Sequence, residues 1–164
     1  MPKHRLVRLL GSLAIAVSIV SASARGELAT WDQAQVAQLT TELVTATDAL
    51  HETFLKQPDP GVGSMQSNAY LRLKQWIRML EAQSRALAES TAKGEAREET
   101  LAMYDNVMQL ARSAREDAGK AFISKEVSER AAAVRAVLNR LGPYYDPDFQ
   151  TLVPSRNLEP SAPR

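Results

Sequence analysis

His51 is the residue of this sequence best suited to chemistry, because it is the only histidine that follows residue 24. Glu52 comes directly after it, but the second histidine of an HExxH zinc pair is absent. The sequence contains no cysteine, so His51 cannot belong to a Cys/His zinc site, and neither a thiolate nucleophile nor a disulfide is available. We therefore predict no metal site and no resident cofactor.

A haem held between helices is the alternative role for His51. Some four-helix bundles bind a b-type haem through one histidine and one methionine of the core. Met108 is the candidate partner on a predicted buried face, and Met65, Met79 and Met103 could serve in principle. No haem-binding motif accompanies these residues, so the simpler interpretation of His51 is a hydrogen-bonded side chain at the border of the core.

Two further patterns resemble functional sites but are explained by local structure. Residues 57–64 contain two glycines, yet no Lys-Ser or Lys-Thr pair follows them, so they form a turn and not a phosphate-binding loop. Glu95, Glu98 and Glu99 gather at the start of a predicted helix, where carboxylates stabilise the helix dipole. No serine at a strand–helix elbow is available to pair with His51. We predict no catalytic residues and no enzymatic activity.

Apolar residues that recur every three or four positions predict the first two helices. A capping box formed by Thr30 and Gln33 is expected to start the first helix, which must end before Pro58. The second helix covers about residues 65–91, and its angular pattern places Trp76 on the buried face. Its opposite face carries charged residues that we expect in solvent, namely Lys74, Arg78, Glu81 and Arg85.

The third and fourth helices are separated by a change of phase. The apolar residues before and after residues 119–124 differ in direction by about 140°, so one straight helix would expose one of the two sets. We therefore predict a break at residues 119–124, with Ser124 as the N-cap of a fourth helix over about residues 125–141. A single kinked helix is the alternative. The predicted buried residues of the third helix are Leu101, Tyr104, Met108, Ala111 and Ala118.

The composition favours a single helical domain. Apolar residues make up 45% of the 164 residues and aromatic residues only 5%, and alanine, a strong helix former, is abundant. The predicted fold is all-α, an antiparallel bundle of about four helices over residues 25–143, with an extended proline-rich tail over residues 144–164. We expect the early tail to dock on the bundle and the chain to be disordered after about residue 153. The apolar residues of the early tail are Tyr144, Tyr145, Phe149 and Leu152.

Residues 1–24 have the features of a secretory signal peptide. Three basic residues precede an apolar run of about a dozen residues, and an Ala-Ser-Ala sequence ends at residue 24. We predict cleavage before Arg25 and therefore secretion, into the periplasm if the source is a Gram-negative bacterium. An uncleaved anchor is the alternative, but the run is shorter than the roughly 20 residues that span a bilayer. No later part of the sequence is apolar enough to span a membrane.

The charge balance and the missing catalytic patterns limit the classes of function that the sequence predicts. Three of the 20 basic residues lie in residues 1–24, so 17 remain against 19 acidic residues, a net charge of −2 that predicts no nucleic-acid partner. We expect a secreted or periplasmic, non-enzymatic interaction or structural module that binds a protein or a cell-envelope component. The alternative is a carrier that holds haem, a metal or an apolar ligand between its helices.

Overall fold

Four α-helices make up most of the structure, a computed structural model that describes residues 27–58 and 65–152. No strand occurs in these residues, and none of the described helices is long and apolar enough to cross a membrane. The predicted all-α bundle is confirmed. The predicted signal peptide and the disorder predicted after residue 153 lie outside the described residues. The elements are α1 (Gln33–Leu55), α2 (Met65–Ala92), α3 (Arg97–Ala118), α4 (Lys125–Leu141) and a 3-10 turn (Gly142–Tyr144).

The first helix begins later than the predicted capping box. Asp32 is its N-cap, and the Asp32 carboxylate accepts a hydrogen bond from the backbone N–H of Gln35 at 3.0 Å. Gln33 instead donates its side-chain amide to the carbonyl of Thr91 on α2, at 2.5 Å. The predicted cap formed by Thr30 and Gln33 is therefore wrong, because a tertiary contact takes the Gln33 side chain.

The helices pack in the order α3, α2, α1, α4. α1 lies against both α2 and α4, and α2 lies against α3, whereas the backbones of α3 and α4 stay apart. We call the line along which two neighbouring helices face each other a seam. Three seams are closed by side-chain packing, and the fourth, between α3 and α4, is open. The largest fully buried side chains at the closed seams include Leu39, Leu43, Phe54, Leu80 and Leu138.

The predicted break between the third and fourth helices is confirmed. α3 ends at Ala118, and the Ser124 hydroxyl caps α4 by accepting from the backbone N–H of Val127 at 3.3 Å. Gln57, just beyond the end of α1, holds the connecting loop. Its side-chain amide donates to the carbonyl of Phe122 at 2.9 Å and accepts from the N–H of Ser124 at 2.7 Å. The loop is thereby fixed to the end of α1.

Trp76 lies at the edge of the core and not within it. Its side chain is only partly buried, and its Nε1 donates to the carboxylate of Asp117 on α3 at 2.9 Å. Arg72 donates two further hydrogen bonds to this carboxylate, at 2.9 and 3.0 Å. The bond from Arg72, with that from Trp76, holds the pKa of Asp117 below its usual value although burial raises it. Trp76 therefore packs against the core from the predicted face of α2 but is only partly buried, because its N–H reaches a polar partner at the edge of the α2–α3 seam.

The buried face of α3 differs from the predicted one. Tyr104 and Met108 are buried as predicted. Val107 and Leu110 are buried as well, whereas Leu101, predicted to be buried, is 39% exposed. The main neighbour of α3 is α2. The buried residues of α3 therefore face α2 and not the centre of a closed bundle.

The first part of the tail docks on the bundle, as predicted from its apolar residues. The Tyr145 ring stacks on that of Tyr104 with centroids 4.3 Å apart, and its hydroxyl shares a 3.0 Å hydrogen bond with Thr100. Asn139 on α4 holds the backbone of Leu152, accepting from its N–H at 2.8 Å and donating to its carbonyl at 3.3 Å. The chain is therefore packed against the bundle as far as Leu152.

Gly142 allows the chain to turn back directly after α4. The carbonyl of Gly142 accepts hydrogen bonds from the N–H groups of Tyr145 at 2.9 Å and Asp146 at 3.0 Å. The ring of Phe149 lies where a Cβ atom of residue 142 would be. The absence of a side chain at Gly142 therefore makes room for Phe149.

Candidate functional site

An apolar groove lies between α3 and α4, where the bundle is open. It encloses about 740 Å³ of space free of protein atoms, a volume that includes the part open to solvent. The groove, hereafter the α3–α4 groove, has a floor formed by α1 and α2. Since the floor residues also belong to the buried core, the groove reaches the interior of the bundle. The floor consists of Leu50, Leu73, Ile77 and Leu80.

Short side chains form much of the α3 wall of the α3–α4 groove. α3 contributes Ala111, Ala114 and Ala118, whose spacing of three and four places them on one face of the helix. Ala131 on α4 lies in the opposite wall. A methyl group does not reach across to the other helix, so little apolar surface would be buried by closing the seam. Longer side chains of α4 complete its wall, namely Val127, Val134 and Leu138.

The two ends of the α3–α4 groove are formed by the segments that flank α4. Ile123 lines one end, in the loop that Gln57 holds. Leu152 lines the other end, in the tail segment that Asn139 holds. The groove is therefore a slot bounded by the chain itself.

All charged residues that line the α3–α4 groove in the described part of the chain are arginines. Arg112 and Arg115 come from α3, and Arg135 comes from α4. Burial lowers the pKa of Arg135, and the nearby positive charge of Arg115 lowers it further. The site therefore combines an aliphatic interior with positive charge from both walls.

His51 belongs to a chain of ionic contacts between α1 and α2. Its Nδ1 contacts the Glu81 carboxylate. Arg85 donates to Glu81 at 2.8 Å and to Asp48 at 2.9 Å. Burial raises the pKa of Glu81, but the hydrogen bonds from Arg85 and His51 outweigh burial and bring the pKa below its usual value. His51 is hydrogen-bonded at the border of the core as predicted, whereas Glu81, predicted to lie in solvent, is partly buried.

The structure places His51 and Met108 in different surroundings. Met108 is buried in the core, and neither residue lines the α3–α4 groove. Met79 is 39% exposed on α2, and Met103 packs at the edge of the core. The side chain of Met65 lies outside what the structure describes. Among the described residues, no three histidine, aspartate or glutamate side chains are placed to share a metal ion.

Sequence reasoning does not find the α3–α4 groove. The only local signal is the alternation of Ala111 and Ala114 with Arg112 and Arg115 on one helix. Alanines at such spacing usually allow close helix packing, so they do not predict an open seam on their own. No protein family, curated protein or solved structure matches this chain.

Proposed function

We propose that the protein is a non-enzymatic carrier that binds a small apolar ligand in the α3–α4 groove. The observation that carries this proposal is the groove itself, a cleft whose aliphatic floor reaches the interior of the bundle and whose upper part opens to solvent. Ligand-binding sites in proteins are typically concave and lined mainly by apolar side chains, with a few polar groups that fix the ligand's orientation. A ligand with a hydrocarbon body would leave water and contact the apolar side chains of the floor and walls.

The shape of the α3–α4 groove favours a small molecule over a partner helix. An α-helix with its side chains is about 10–12 Å wide and usually extends beyond the surface that it contacts. Here Ile123 and Leu152 line the two ends, and hydrogen bonds hold the segments that carry them. We therefore prefer the carrier to a module that binds a protein through this groove.

The chemistry of the lining favours an apolar ligand over haem or a metal ion. The side chains that line the α3–α4 groove are aliphatic or arginine, and none is a histidine, a methionine or a carboxylate. Haem iron and protein-bound metal ions need such donors. Secretion through the predicted signal peptide, residues 1–24, is part of the proposal, and it would place the carrier outside the cytoplasm.

Binding of N-phenyl-1-naphthylamine, an uncharged probe that fluoresces in apolar surroundings, tests this proposal. We expect saturable binding to the protein purified after expression of the complete sequence. Ala131→Phe should weaken binding by about tenfold or more, because the new ring occupies the space of the ligand. Ala132→Phe is the matched control, since Ala132 is exposed on the same helix and does not line the groove.

Thermal melting followed by circular dichroism verifies that both variants are folded. Absence of saturable binding by the wild-type protein would contradict the carrier, as would undiminished binding by folded Ala131→Phe protein. A mass spectrum of the protein exported by a bacterial host should show a chain that begins at Arg25. An exported chain that retains Met1 would contradict the predicted cleavage.

A further inference from the structure

Two arginines, Arg112 and Arg135, line the α3–α4 groove from opposite walls. No carboxylate of the described residues forms an ion pair with either of them. Three other arginines of the bundle do have carboxylate partners, at distances of 2.6 to 2.9 Å. Those pairs are Arg72 with Asp117, Arg85 with Asp48, and Arg140 with Glu42.

The surroundings of Arg135 disfavour its positive charge. The Arg135 side chain is partly buried, and both this burial and the charge of Arg115 lower its pKa. An anion between the two walls would offset both effects, because it replaces lost hydration and lies close to several positive charges. Guanidinium groups suit this role, since their planar N–H donors match the oxygens of carboxylate and phosphate groups.

We infer that the ligand of the α3–α4 groove is a single-chain anionic amphiphile whose head group is bound by Arg112 and Arg135. Its hydrocarbon chain would lie over the aliphatic floor, and its carboxylate or phosphate would lie between the two arginines. This inference rests on the proposed function, because it names the class of ligand for the same groove. The aliphatic floor and the arginines line one continuous groove, so one molecule can contact both. The competing occupant is the chain's own segment 153–164, which follows Leu152.

Displacement of bound N-phenyl-1-naphthylamine by three ligands of equal chain length tests the inference. The ligands are dodecanoate, dodecyl phosphate and 1-dodecanol, each used below the concentration at which it self-associates. We expect at least one anion to displace the probe at about tenfold lower concentration than the alcohol, because it gains charge-assisted hydrogen bonds. The double variant Arg112→Gln/Arg135→Gln should lose this preference for the anion.

A matched double variant separates the two arginines from net charge. Arg78→Gln/Arg130→Gln removes the same charge from exposed positions that do not line the groove, so it should keep the preference of the wild type. An equal loss of preference in this control would overturn the role of Arg112 and Arg135. Melting curves of both double variants verify that each of them is folded.

Two further outcomes would overturn the inference in distinguishable ways. If the wild type binds the probe but the alcohol displaces it as well as both anions do, the anionic head is wrong and the carrier proposal stands. If only a shortened chain ending at Leu152 binds the anions, segment 153–164 is the natural occupant. Failure of the wild type and of the shortened chain to bind the probe at all would contradict the carrier proposal as well.

Discussion

The seam between α1 and α2 is closed, whereas the seam between α3 and α4 is open. Across the closed seam, the hydroxyls of Thr40 and Thr91 share a buried 2.7 Å hydrogen bond. The rings of Phe54 and Tyr70 stack there with centroids 4.8 Å apart. Across the open seam, three alanines form much of the α3 wall and one alanine lies in the α4 wall, and the backbones of the two helices stay apart.

Loop length does not explain this difference. The α3–α4 loop covers residues 119–124 and is shorter than the α1–α2 connection over residues 56–64. The pair of helices with the shorter connection is thus the pair that does not pack. The α3 wall of the open seam carries mainly alanines, which bury less apolar surface against a neighbouring helix than the long side chains at the closed seam do.

The largest contrast between the two seams is expected from removal of apolar side chains. Phe54→Ala at the closed seam should lower the free energy of unfolding by about 3–5 kcal/mol, since Phe54 is fully buried. Ile123→Ala at the open seam should cost about 1 kcal/mol or less, because Ile123 is only partly buried. Denaturant titration measures both values. Equal losses would show that the two seams contribute alike to stability.

The same enlargement at two alanines sharpens the contrast further. Ala69→Leu should lower the free energy of unfolding by about 1–3 kcal/mol, because Ala69 is buried in the packed core. Ala131→Leu should change it by no more than about 0.5 kcal/mol, because the α3–α4 groove has room for the added atoms. Thermal and denaturant unfolding provide the comparison, and a severe loss in the Ala131 variant would mean that the groove is filled.

The smallest effect concerns the polar contact at the closed α2–α3 seam. Asp117→Asn should lower the free energy of unfolding by about 1–2 kcal/mol at pH 7, since it weakens the bonds from Arg72 and Trp76. The pKa of Asp117 is lowered in the folded state, so its contribution is present above the unfolded carboxyl pKa of about 3.9. The contribution is lost as the pH falls through the folded pKa.

The difference between wild type and Asp117→Asn should therefore stay constant from about pH 7 to pH 5 and shrink below about pH 4. Urea unfolding at a series of pH values measures this difference. Asp105→Asn, at an exposed position of the same helix, is the control and should leave stability nearly unchanged. A difference between Asp117→Asn and wild type that grows on acidification would contradict the ion-pair interpretation.

Features that depend on residues close in sequence could be predicted. The start of α4 follows from the Ser124 hydroxyl, which caps an N–H only three residues later. The end of α2 at Ala92 follows from Gly94, which adopts a φ of 89° two residues after the helix ends. In both cases the physical cause lies within one helical turn, so a short window of sequence contains it.

Features that depend on distant residues could not be predicted. The start of α1 is displaced because Gln33 bonds to Thr91, 58 positions away. Glu81 is partly buried because His51, 30 positions away, lies opposite it. The α3–α4 groove likewise exists because α3 packs on α2 and not on α4. Periodicity predicts that a helix has a buried face, but it does not identify the helix against which that face packs.

The close contact between Gly142 and Phe149 restricts which residues evolution can place at these two positions. A side chain at position 142 and an aromatic ring at position 149 would compete for the same space. In homologous sequences we expect these two positions to covary, with any residue larger than glycine at 142 accompanied by a smaller residue at 149. A homologue with a large residue at 142 and an aromatic residue at 149 would contradict this expectation. A glycine at position 142 together with an aromatic residue at position 149 would thus identify the homologues that share the docked tail. These homologues would also share the end of the groove that Leu152 lines.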